Sequence, residues 1–308
     1  MKRVVITGAT GAIGIALIDE LVKRNIEVIV VVRPGTSRRE NIPENKLVTV
    51  VECDLKEILS LPNRIEGECD TFYHLGWDGT FGNSRNNMHG QLKNIEYTLD
   101  AVTVAKQLGC KRFLGAGSQA EYGRTEQCLS ASTPTFPENG YGIAKLCAGQ
   151  MSRIQCEQDG LEHIWMRILS VYGPYDGMNT MVMSIINALL KGEKPASTKG
   201  EQEWDYLYVK DAGYALYLLG EKGVSGKVYC IGSGKIRRLY EYIQCIRDTV
   251  DKTLPLGLGE IPYGPKQVMK LCADITELEK DTGFVPRYSF EEGIAETVEW
   301  MRNRYEKN

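Results

Sequence analysis

Val4-Val5-Ile6-Thr7-Gly8-Ala9-Thr10-Gly11-Ala12-Ile13-Gly14 decides the fold of this chain. A short β-branched run passes straight into glycines spaced three apart. The last of them lies inside a helical pattern in which Ile13, Leu17, Leu21 and Val22 share one side of Ala12–Arg24. Glycine at a strand-to-helix turn lets backbone approach a pyrophosphate, and the helix N-terminus stabilises its charge. A bare glycine triplet is weak. Placed directly after the first strand, it predicts a dinucleotide site formed by Gly8, Thr10, Gly11, Ala12, Ile13 and Gly14.

Working outward, short apolar runs alternate with helical patterns. Val28–Val32 is unbroken and β-branched, as in a parallel strand buried on both faces. Leu47–Cys53, Thr71–Leu75, Arg112–Gly115 and His163–Ile168 read as further strands. Met88–Leu108 and Tyr141–Gln158 read as helices, closed by Gly109 and Gly160. Such alternation predicts an α/β fold with a doubly wound parallel sheet. Downstream, Met178–Leu190, Asp211–Leu219 (capped by Asp211), Leu239–Val250 and Phe290–Arg304 read as helices, and Glu203–Tyr208 and Val228–Ile231 as strands. No repeat or low-complexity linker separates the halves. The expected organisation is a dinucleotide-binding domain at 1–170 and a smaller C-terminal α/β substrate domain at 171–308, closely packed and partly interleaved.

Composition excludes several classes. The 308 residues are 43% hydrophobic and 25% charged, as in ordinary globular proteins, and the net charge of −3 argues against nucleic acid or an acidic membrane as partner. No apolar run approaches the ~18–20 residues of a membrane span. Met1-Lys2-Arg3 enters a strand at once, unlike a signal peptide. His74, His89 and His163 lack metal-ligand spacing, so no metal is expected. Nine scattered cysteines without a C-x-x-C pair read as reduced thiols of a cytoplasmic protein, not as a disulfide framework.

The chemistry is concentrated in Tyr141-Gly142-Ile143-Ala144-Lys145 and in Ser118 of Gly117-Ser118-Gln119-Ala120-Glu121-Tyr122-Gly123. A tyrosine and a lysine four apart share a helix face, and an adjacent ammonium favours the phenolate. A phenol so tuned exchanges a proton with a carbonyl or alcohol, and Ser118 supplies a second hydrogen bond to the same oxygen. At the end of the second strand stands Arg33, with Arg38 and Arg39 nearby. An arginine there accommodates the 2′-phosphate of NADP, where an acid would bind the 2′-hydroxyl of NAD. NADP is therefore the favoured cofactor, with NAD possible. Asp54 and Leu55 after the third strand, and Leu75 and Gly76 after the fourth, are expected along the cofactor, together with Tyr141 and Lys145.

These ordered motifs resemble the extended short-chain dehydrogenase/reductase family, in its NAD-dependent epimerase/dehydratase branch. The resemblance also draws on Cys53-Asp54-Leu55, His74-Leu75-Gly76, Arg167 through Pro174, Trp204 through Asp211 and Phe290 through Trp300. It implies a Rossmann domain, nucleotide-sugar substrates, a Ser118-Tyr141-Lys145 triad, and a homodimer built on the Met88–Leu108 and Tyr141–Gln158 helices. Departures narrow it. The Asp-Glu pair of the sugar dehydratases is Gln119-Ala120 here, which removes the acid/base for water elimination. The family's asparagine before V-Y-G-P is Ser170, and its diphosphate-binding arginine is Trp204, leaving Lys199, Lys266, Lys270, Arg237 and Arg238 as substitute cations. Trp77, Thr80, Gln119, Tyr122, Ser170 and Trp204 are the candidate substrate residues. The first functional reading is NADPH-dependent reduction of a nucleotide-linked 4-keto sugar. The second is a nucleotide-sugar 4-epimerase with retained NAD. The third is an NADP-binding sensor, which an intact Ser-Tyr-Lys set argues against.

Overall fold

The computed structural model describes residues 1–306. The apolar runs become strands β1 (Arg3–Thr7), β2 (Glu27–Val32), β3 (Val48–Glu52), β4 (Thr71–His74), β5 (Arg112–Ser118) and β6 (Glu162–Ile168). After β7 (Ser170–Tyr172), β8 (Ala196–Ser197), β9 (Glu203–Trp204) and β10 (Tyr206–Tyr208), the chain returns to this sheet as β11 (Val228–Ile231). The seven strands are parallel in the order β11-β6-β5-β4-β1-β2-β3. The order reverses between β1 and β4, and in doubly wound sheets ligands bind in the crevice beyond the strand ends at that switch.

Helices cover both faces. On one, α1 (Ala12–Val22) packs against α5 (Val209–Lys222); on the other, α2 (Met88–Gln107) packs against α3 (Gly140–Asp159). Each layer has its own core: Leu17, Ile18, Leu21 and Leu216 against Val4, Ile6 and Val30, and Val102, Val104 and Ala105 against Val5, Phe72 and Phe113. The remaining helices α4 (Met181–Leu190), α6 (Leu239–Val250) and α8 (Phe290–Glu306) form a third apolar cluster with Tyr172, Tyr208 and Val209. Beside them run the short strands β12 (Arg237–Arg238), β13 (Gly257–Leu258) and β14 (Lys270–Leu271) and helix α7 (Thr276–Thr282). Because β11 and α5 both lie beyond residue 171 and both build on the N-terminal sheet, the two halves share one core.

Three expectations are corrected. The strand read at Glu203–Tyr208 is broken at Asp205 into β9 and β10, which join different sheets. Asp205 is fully buried, and its carboxylate accepts from Ser233 N, Gly234 N, Ala273 N and the Ser233 hydroxyl. Satisfying those donors takes precedence over continuing a ladder. Asp211 is not a cap: α5 begins at Val209, and the buried Asp211 carboxylate instead accepts from the backbone amides of Arg287 and Tyr288 and from Arg287 Nε. Nor are all nine cysteines free thiols, because Cys128 and Cys272 form a disulfide across a sequence separation of 144 residues. The bridge sits beside the Leu129–Ala273 pairing, a long-range contact with no local sequence signature.

Candidate active site and dinucleotide cradle

The turn after β1 is packed so tightly that side chains are excluded. Gly8 has φ +70°, and a Cβ there would lie 2.6 Å from Leu75 C and Gly76 N; a Cβ on Gly14 would lie 2.6 Å from Ala9 Cα. Glycine alone tolerates that backbone and that approach. Gly11 is the N-cap of α1 and no side chain caps the helix, so its first-turn amides remain for an anion. Thr7 Oγ1 ties the two strand ends together, accepting from Gly76 N and pairing with His74 Nδ1 at 3.0 Å. Burial holds His74 down at about 3, so it is a neutral structural imidazole. Leu55 reaches within 3.2 Å of a Cβ placed on Gly76, and Asp54 caps the following turn through Lys56 N. The cradle is thus a backbone-lined slot, and a dinucleotide fits it.

At the rim, Arg39 is engaged by Glu52 at 2.9 Å, whereas Arg33 and Arg38 are exposed and have no carboxylate partner among the described residues.

Ser118 ends β5 and Tyr141 opens α3, and the phenol and hydroxyl meet at the same crevice. The Tyr141 phenol is held above its ordinary value: burial pushes it up, a hydrogen bond with Ser118 and the nearby Arg85 charge offset this only in part, and the lowering expected from Lys145 is not found. Lys145, 3% exposed, donates to the Ala116 carbonyl oxygen at 2.6 Å, and burial pushes it down to about 7. Its Nζ lies 3.7 Å from the Trp77 ring centroid and 5.9 Å from that of Tyr141. Trp77 meets Tyr141 edge-on at 6.0 Å and is pinned by donating to Gln91 Oε1. Ser118, Tyr141, Lys145 and Trp77 therefore form one cluster. Thr80 lines an adjoining cleft of about 310 Å³ with Gly79, Phe81, Ser84 and Gln91.

Two other candidate substrate residues are bonded to each other: Trp204 Nε1 donates to Ser170 Oγ at 2.9 Å. Of the substitute cations, Arg237 is paired with Glu291, and Arg238 and Lys270 with Glu203. Gln119 stands half-buried on the turn after Ser118. Tyr122 is placed differently from the expectation. It is 2% exposed, its hydroxyl donates to the Ser130 carbonyl oxygen, and its ring lies under Arg167, so it packs and presents no free face.

The sequence reading missed Glu121 and Arg85. Glu121 is fully buried; Oε1 accepts from Ser118 N and Trp165 Nε1, and Oε2 from Arg167 Nε at 2.6 Å. Its carboxylate is locked in a structural pair and cannot stand in for an eliminating acid next to Gln119-Ala120. Arg85 lies with its guanidinium carbon 4.6 Å from the Tyr141 ring centroid. A cation isolated in the loop Gly82-Asn83-Ser84-Arg85-Asn86-Asn87 carries no motif, so only the folded geometry finds it.

Comparison with known proteins shows the family and the fold. The profile of the NAD dependent epimerase/dehydratase family matches residues 4–232. The chain is 28% identical over 200 residues to dTDP-glucose 4,6-dehydratase of Xanthomonas campestris pv. campestris, covering 61% of this chain and 57% of that one, so the match spans little more than half of the relative. It is 27% identical over 319 residues to UDP-glucuronic acid decarboxylase 1 of Xenopus tropicalis, covering 99% of this chain and 73% of that one. A solved UDP-N-acetylglucosamine 4-epimerase from Methanobrevibacter ruminantium, in complex with UDP-N-acetylmuramic acid, superposes with a TM-score of 0.89 at 25% identity, covering 98% of this chain and 99% of that one. No helix among the described residues is long and apolar enough to cross a membrane.

Proposed function

We propose the chemistry of this chain from one premise: it belongs to the NAD dependent epimerase/dehydratase family. The reading is an NADPH-dependent oxidoreductase that reduces the ketone of a nucleotide-linked 4-keto sugar. A bound nicotinamide dinucleotide supplies the hydride. Ser118 orients the ketone oxygen, Tyr141 gives it a proton, and Lys145, anchored on the Ala116 carbonyl oxygen, lies beside them as a donor whose charge varies around neutral pH. Gly8, Thr10, Gly11, Ala12, Ile13 and Gly14 hold the pyrophosphate, and Asp54, Leu55, Leu75 and Gly76 the adenosine side and backbone of the cofactor. Gln119-Ala120 offers no carboxylate for β-elimination, which favours simple redox chemistry over dehydration.

The observation that carries the choice of NADPH is the pair Arg33 and Arg38, both without a carboxylate partner where a 2′-phosphate would lie. Guanidinium matches phosphate bidentately. Arg33→Asp is expected to weaken NADP by roughly ten-fold or more while improving NAD, one charge-assisted contact being worth about 1.5–3 kcal/mol. Dissociation constants of both cofactors for both proteins check it; an unchanged ratio makes Arg33 an ordinary solvated side chain.

The second reading is a 4-epimerase with retained NAD, favoured by the full-length likeness to the Methanobrevibacter enzyme. Stoichiometry separates the two. A reductase consumes one NADPH per product; interconversion of two sugars with no net loss of reduced cofactor overturns the preferred reading. In either case the arginines beside the Trp204–Ser170 pair are already engaged, Arg237 by Glu291 and Arg238 by Glu203, so weak to moderate affinity for nucleoside diphosphates is expected, with Trp204 emission responding to UDP, dTDP, CDP or GDP. No response at millimolar concentration points to a free ketone or aldehyde instead.

The reading includes a homodimer. Met88 and Leu92 on α2, and Ile143, Met151 and Ile154 on α3, are exposed at helical spacing on two helices that pack side by side. Light scattering that returns a monomer mass at micromolar concentration excludes it. A cytoplasmic location is also part of the reading; the seven free cysteines support it, the Cys128–Cys272 disulfide weighs against it, and cell fractionation tests it.

A further inference from the structure

We infer that Arg85 is a specificity-determining residue that binds an anionic oxygen group of the substrate, next to the reacting carbon. This rests on the proposed nucleotide-sugar reading and adds to it the charge of what is recognised.

The geometry begins with how the segment is seated. The turn Gly82–Asn86 is docked on the start of the catalytic helix: Asn86 Oδ1 accepts from Gly140 N at 3.0 Å. A Cβ on Gly140 would meet Met88 Sδ at 2.7 Å and the Arg85 carbonyl oxygen at 3.0 Å. From the other side, Gln91 Nε2 donates to the carbonyl oxygens of Gly79 and Ser84. The backbone at residue 85 is therefore fixed on both flanks, and the placement of its side chain is not that of a free loop tip.

That side chain is half-buried and aimed over the catalytic phenol. Among the described residues no carboxylate, carbonyl or other hydrogen-bond acceptor engages it, and its one aromatic contact is the Tyr141 ring. Arg237 and Arg238, by contrast, have glutamate partners, and Arg167 has Glu121. A guanidinium has five donors in a fixed fork, and taking it partly out of water without an acceptor costs free energy. One ring contact does not use those donors. Since Ser118 and Tyr141 fix where the reacting oxygen must lie, a group meeting Arg85 lies on the same sugar or on the diphosphate folded beside it. Carboxylate and phosphate both match the fork, and both are anionic oxygens.

The test uses NADP-loaded protein. UDP, dTDP, CDP and GDP are first compared by calorimetry, and the tightest base is used throughout as the free diphosphate, its hexose conjugate and its hexuronate conjugate. Wild type, Arg85→Gln and Arg85→Lys are measured alongside NADP affinity and thermal midpoint, neither of which should move. If the anion is a sugar carboxylate, the hexuronate binds at least ten-fold tighter than the hexose in wild type, and Arg85→Gln removes that preference alone. If it is the diphosphate, Arg85→Gln weakens all three ligands by a similar ten-fold factor. In both cases Arg85→Lys retains part of the binding. Unchanged affinities in Arg85→Gln overturn the inference and leave the nucleotide-sugar reading standing. Failure of every ligand to bind wild type overturns both.

Discussion

Tyr141→Phe is expected to reduce turnover by about 10²–10⁴-fold, the range that a positioned proton donor contributes. The substitution removes one oxygen from a ring held by packing against Trp77 and Arg85, so the fold and the glycine cradle remain. NADP affinity should change little. Lys145→Met separates from it in a second measurement. Turnover falls too, but the protein should gain stability. The buried ammonium is pushed down from its ordinary 10.5 to about 7, so the unfolded chain holds its proton more tightly than the native one. The resulting penalty is absent above the unfolded value, grows as pH falls from about 10.5 to about 7, and is constant below. Lys145→Met removes it, so its thermal midpoint should exceed wild type by a few degrees at pH 6 and converge with it near pH 10. A near wild-type rate in Tyr141→Phe removes the phenol from the chemistry.

Much of the fold was legible because its signals are local. Val28–Val32 is a strand buried on both faces, and an unbroken β-branched run says so directly. Gly160 ends α3 in the left-handed region, as a C-terminal glycine announces. The cradle glycines were readable for the same reason: the packing that excludes a Cβ at Gly8 comes from the next strand end, and the motif encodes that approach. What was not legible depends on partners far along the chain. Asp205 breaks a strand because Ser233, Gly234 and Ala273 donate to it. Tyr122 looked like a site residue because it follows the catalytic serine, yet its hydroxyl is taken by Ser130 and its ring by Arg167. The same loop hid the role of Glu121, whose partners Trp165 and Arg167 lie 44 and 46 residues further along the chain. Arg85 was invisible in the opposite sense: its significance is that nothing among the described residues neutralises it.

Arg167→Met should be the most destabilising of these substitutions, for reasons that lead back to Ser118. Arg167 and Glu121 are 3% and 0% exposed, and the pair is joined at 2.6 Å. Two charges brought that far from water are tolerable only together; removing one partner typically costs about 3–5 kcal/mol because the other is left uncompensated. Methionine fills much of the volume, so the loss is chiefly electrostatic. At about 2–4 °C per kcal/mol for a chain of this size class, the thermal midpoint should fall by roughly 6–20 °C. The double variant Glu121→Gln with Arg167→Met removes both charges and should recover a large part of the loss, which a simple packing defect at Arg167 would not allow. Activity adds an independent readout. Glu121 Oε1 holds Ser118 N at 2.8 Å and Trp165 Nε1 at 3.0 Å, so the carboxylate anchors the backbone that places the serine hydroxyl beside Tyr141. In the double variant the glutamine carbonyl oxygen can still accept from both Ser118 N and Trp165 Nε1, but as neutral bonds without the charge assistance. Its stability should therefore return further than its turnover, whereas parallel recovery of both would reduce the buried pair to a purely structural role.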